Sequence, residues 1–175
     1  MRFDALSPLP KVPALPAAFA GKVSFSGDCV CSDRELLLLG AAFQLIDMEM
    51  AEHPSPIPNL RLNIIFVAGE HTSIAFDEPA ALGHYFSGVF FPVSAWRQNG
   101  YKDDVLLMAM VEELCHAIWL LPDGYELQRK VESVIRRIRP KFSYVETLGR
   151  AFLQRMASTI TSRQNQLEQQ PEDCG

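Results

Sequence analysis

Apolar and polar positions fall into a few distinct patterns along the chain. From Leu36 to Met50, apolar side chains at Leu36 to Leu39, Ala42, Phe43, Leu45, Ile46, Met48 and Met50 form a wide stripe at helical spacing. Ser32-Asp33-Arg34-Glu35 precedes it, with serine at the cap and glutamate three residues on, the arrangement of a capping box. The spacing predicts a helix from there to about Glu52, ended by Pro54, Pro56 and Pro58. Leu60 to Val67 is β-branched and partly alternating, and predicts a strand. Thr72 to Phe76 is a second strand candidate. Gly83 to Val93 is a third, with Pro92 marking an edge position or an end. Lys22 to Val30 reads as a short strand or loop. Asp104 to Leu121 is apolar almost all round, the pattern of a buried helix. Asp123 and Glu126 form a second capping box, for a helix from about Gly124 to Ile138 that Pro140 ends. Leu148, Phe152, Met156 and Ile160 recur every four residues in a last helix, from about Tyr144 to Thr161.

These elements do not alternate as in a doubly wound sheet, and an α+β domain fits their order. Residues 1–20 are punctuated by proline and form an extended arm that can pack on the body through Phe3, Leu9, Leu15 and Phe19. Residues 21–162 form a single domain. Residues 163–175 are polar and read as a disordered tail.

Composition narrows the function. The chain has 175 residues, 48% hydrophobic and 21% charged, enough for one domain with a core. Its net charge of −5 argues against nucleic acid as a partner. One basic cluster, Arg136, Arg137, Arg139 and Lys141, is a local exception that also suits a helix C-terminus. The longest apolar run, Val105 to Val111, is far short of the ~20 residues of a membrane span. Asp4 and the prolines at 8, 10, 13 and 16 do not fit a signal peptide, and four cysteines do not make a disulfide scaffold, so a reducing cytoplasm is expected.

The chemistry concentrates in Glu112-Glu113-Leu114-Cys115-His116, inside the apolar helix. Two carboxylates and an imidazole are costly there unless paired, neutralised or bound to a metal. Positions i and i+4 share a helix face, so Glu112 and His116 can grip one ion, while Glu113 is rotated by roughly 100°.

This segment resembles the zincin metallopeptidase motif, with Glu112 standing where that motif has its first histidine. The resemblance implies a zincin-like domain, with a small mixed sheet packed against the motif helix. It implies Glu112 and His116 as ligands to zinc or another divalent metal, and Glu113 as general base. The expected activity is metal-dependent hydrolysis of a peptide or protein substrate. The departure at Glu112 adds a negative charge and alters zinc affinity; a carboxylate-rich site can still hold zinc, or prefer manganese or iron.

A third ligand must come from elsewhere. Zincins of one branch take a Glu from the next helix, which makes Glu132 the first candidate; Asp123, His71 and His84 are the others. The alternative is a non-catalytic scaffold or interaction protein. In it Arg129, Lys130, Arg136 and Arg137 neutralise Glu112 and Glu113 across a helical hairpin. Two other site types are weaker. Glu113-x-x-His116 is half of a di-iron carboxylate site, but no second copy is present. Cys29 and Cys31, with Cys115 and His116, are spaced too closely for a usual zinc site. Neither a Gly-rich phosphate loop nor a Gly-x-Ser-x-Gly elbow occurs, and the sequence does not fix an oligomeric state.

Overall fold

The computed structural model describes residues 6–57, 59–69 and 88–168, with side chains as far as Met156. Among these residues, four strands form a mixed sheet in the order β1 (Ser7–Pro8), β2 (Val23–Gly27), β3 (Leu62–Val67) and β4 (Gly88–Pro92). β1 runs antiparallel to β2, whereas β2, β3 and β4 are parallel. Among the described residues, five α-helices accompany them: α1 (Asp33–Glu52), α2 (Val93–Gln98), α3 (Asp103–Trp119), α4 (Tyr125–Arg136) and α5 (Tyr144–Glu168). Together they make a mixed α/β architecture. No helix among the described residues is long and apolar enough to cross a membrane.

α1 forms where the sequence places it, and its capping box is complete. Ser32 accepts from the Glu35 N–H, and Glu35 accepts from the Ser32 N–H at 2.7 Å. It is also the crossover between parallel β2 and β3, so the segment at 22–30 is a full partner in the sheet. In register, Phe25 lies beside Ile64 and Val89, and Gly27 beside Phe66 and Phe91. This face is the core side: Phe25 meets Phe43 of α1 edge-on, and Phe91 packs on Trp96 of α2. Gly27 is required there, because a Cβ would stand 2.6 Å from the Phe66 carbonyl oxygen.

The proline arm packs on the body as expected of Leu9, Leu15 and Phe19, with Phe19 buried against Phe43. Phe3 lies outside the described residues, as do the candidate strand at Thr72 to Phe76 and the first part of the segment at Gly83. α5 continues to Glu168, past Thr161 and into the stretch expected to be a disordered tail.

α3 is the central helix, in contact with α1, α4, α5 and β4. Its buried side chains, from Val105 to Ile118, point to several sides at once, which accounts for its nearly continuous apolar sequence. Its C-terminal end is tied down by neighbouring chain. Ser55 donates to the Ile118 carbonyl at 2.6 Å, and Trp119 donates through its indole N–H to the His53 carbonyl.

Candidate metal centre

α3 carries Glu112, Glu113 and His116 to its C-terminal end, where the chain must turn into α4. Leu120 ends the helix in the left-handed conformation, with φ 55°. That turn brings the Leu121 carbonyl back to Nδ1 of His116, at 2.5 Å. A carbonyl oxygen only accepts, so Nδ1 carries a proton and Nε2 faces the other way. Nε2 lies 3.3 Å from Oδ1 of Asp123. Gly124 follows with φ 142°, a conformation essentially restricted to glycine, and starts α4.

The expected capping role of Asp123 is therefore corrected. Gly124 occupies the N-cap of α4, with no side-chain cap hydrogen bond. Asp123, 95% exposed, instead joins Glu112 and His116, each of the three offering one ligand atom within 4.8 Å of the others. Among the described residues this is the one group of His, Cys, Asp and Glu side chains placed to hold an ion. Glu132, the first candidate from sequence, is not in it. Its carboxylate accepts from the Tyr144 N–H at 2.9 Å and pairs with Arg136 one turn on. His71 and His84 lie outside the described residues.

Tyr144 is the residue that sequence reasoning missed. From the first turn of α5 its hydroxyl donates to Oε1 of Glu112 at 2.5 Å, while its backbone N–H is held by Glu132. Glu132 thus supports the site at one remove, through Tyr144. Burial, then the hydrogen bond and charge of Glu112, push the phenol upward from its ordinary value, so it remains a neutral donor. Nothing at position 144 in the sequence signals this. It depends on α5 lying beside α3.

Glu113 presents an open side to solvent, yet the protein atoms around its carboxylate shield it. That shielding pushes its carboxyl upward from the usual value. His116 opposes the rise, and the charges of Glu112 and Asp123 add to it.

The cations expected to neutralise this cluster are engaged elsewhere. Lys130 and Arg137 pair with Glu49 of α1, and Arg137 also with Glu52. Arg136 pairs with Glu132, and Arg129 lies over the Tyr125 ring. Glu49 is fully buried and is where the hairpin's positive charge converges; His53 adds a contact at 3.0 Å. Of the basic cluster considered for nucleic acid, Arg136 and Arg137 are thus in ion pairs. Arg139 and Lys141 border a cavity of about 500 Å³ with Phe142, Ser143, Thr147 and Arg150. Cys29, Cys31 and Cys115 are free thiols outside the group of Glu112, His116 and Asp123. Burial pushes the Cys31 thiol up to about 12, and raises Cys115 as well.

The donor set suits a divalent ion. Two carboxylates and one imidazole are ligands that zinc, manganese and iron all accept. The hydrogen bond from His116 to the Leu121 carbonyl fits as well, because a ligating histidine ordinarily donates its other N–H to a carbonyl or carboxylate. Comparison with known proteins found no matching family model, no matching curated protein and no matching solved structure.

Proposed function

We propose that this chain is a zincin-like, metal-dependent hydrolase, with Glu112, His116 and Asp123 as metal ligands and Glu113 as general base on a peptide-like substrate. The observation that carries this is the convergence of three ligand atoms from those residues within 4.8 Å, while Nδ1 of His116 is committed to Leu121. With that nitrogen protonated, Nε2 and two carboxylates face one another as acceptors. A cation between them, either a proton or a metal ion, would relieve that opposition.

A bound divalent ion would supply a Lewis acid to polarise the scissile carbonyl and to acidify water. The chain's own residues do the rest. Tyr144 holds Glu112 in position, Leu121 holds His116, and the turn at Leu120 to Gly124 presents Asp123. Glu113, whose carboxyl is shifted upward, is suited to take a proton from the attacking water and pass it to the leaving amine.

The test is metal content by mass spectrometry on protein purified without chelator or His tag, followed by peptide hydrolysis. Near-stoichiometric metal is expected in the wild type and little in His116→Ala and Asp123→Ala. Glu113→Gln should keep the metal and lose at least 100-fold in rate, the usual scale for removing a general base. Wild-type protein that takes up neither zinc, manganese nor iron would leave the non-catalytic scaffold as the better description.

A further inference from the structure

α5 has two faces of unlike character. Tyr144, Thr147 and Ala151 are buried against the body. On the opposite side Val145, Leu148, Phe152, Leu153 and Met156 are exposed, each by between 48% and 68%. Spacings of three and four residues put Val145, Leu148, Phe152 and Met156 along one stripe, with Leu153 at its edge. Gly149 lies on the same stripe, one turn before Phe152, and a Cβ there would meet nothing within 4 Å. Glycine is a poor helix former, and no neighbour among the described residues accounts for it here.

We propose that α5 is a dimerisation helix whose exposed stripe packs against the same stripe of a second copy, in antiparallel fashion. Three features favour a second copy over another partner. The first is area. The five side chains leave on the order of 600 Å² facing solvent, at the upper end of what a monomer exposes in its largest patch (roughly 300–600 Å²) and close to one partner's share of a stable interface (about 800 Å²). The second is composition: the stripe has no charged residue along its centre, and homodimer interfaces are the more apolar class. The third is shape. A two-fold axis between residues 149 and 152 sets each copy's Phe152 at the height of the other's Gly149, so a bulky side chain meets a notch. The stripe is separate from Glu112, His116 and Asp123, so the inference stands apart from the metal centre.

The experiment is sedimentation equilibrium on the full chain, beside Leu148→Glu, Phe152→Glu and Gly149→Ala. A wild-type dimer at micromolar concentration is expected. Each glutamate variant should weaken association by at least 100-fold with an unchanged circular dichroism spectrum, because the replaced side chains are exposed within the monomer. Gly149→Ala is the more discriminating variant. As a plain helix substitution it would only raise Tm; at this interface it should raise the helix content yet weaken dimerisation several-fold. A wild type that stays monomeric at 100 micromolar would overturn the proposal. So would a dimer whose affinity none of the three substitutions alters.

Discussion

Single side chains carry most of the site's geometry. Tyr144 is the clearest case: its hydroxyl is the hydrogen-bond donor to Glu112, an acid set in a largely apolar helix. Tyr144→Phe should cost about 1.5–3 kcal/mol of folding stability, the range for a hydrogen bond to a charged group, as read by urea unfolding. It should also weaken metal binding by roughly 10–100-fold, since it frees a ligand to rotate. Glu49 is a different kind of buried acid. Burial alone would raise its carboxyl, but hydrogen bonds and charge from Lys130 and Arg137 outweigh it and hold the group below the usual value. A lowered folded value means that Glu49 contributes stability above about 4.5, and that the contribution is lost as pH falls through the folded value. Glu49→Gln should therefore cost about 3–5 kcal/mol at pH 7. The wild-type and variant unfolding curves should converge in acid.

Elements were legible in the sequence where local signals agreed. α1 has its stripe, its capping box and its stop. β3 is β-branched, and α3 is apolar on every side. Ser32→Ala should cost about 1 kcal/mol of stability, read as a lower denaturation midpoint, because it removes one half of that capping box. What was illegible depends on partners distant in the chain. β2 is five residues of mixed character that become a strand through pairing with Leu62 to Phe66. Asp123 satisfies the spacing of a capping box equally well whether or not it caps. Gly124 decides the outcome, because its backbone takes the N-cap and leaves the carboxylate turned toward His116. Glu132 had the expected helix and approximate height, but the first turn of α5 lies in between and uses its carboxylate. Gly27 is likewise unremarkable in sequence. Gly27→Ala should lower stability by about 1–3 kcal/mol through its contact with the Phe66 carbonyl, measurable as a reduced Tm.

At the scale of the whole molecule, the candidate metal site lies where α3 turns into α4, while α5 bears on it from the side. An ion that binds only the folded form adds about 2.7 kcal/mol at a hundredfold excess over Kd, worth a rise in Tm of roughly 5–10 °C for a chain of this size. Chelator should reverse the rise in the wild type and do nothing to Asp123→Ala. The turn at Leu120 gives this a local signature. Glu112 and Asp123 stand on opposite sides of that turn, so a shared ion would act as a further cross-link between α3 and the start of α4, beside the His116–Leu121 hydrogen bond. Hydrogen exchange should then slow at residues 120 to 128 on loading, with little change in β2 and β3. The junction between α3 and α4 would then open later with the ion than without it.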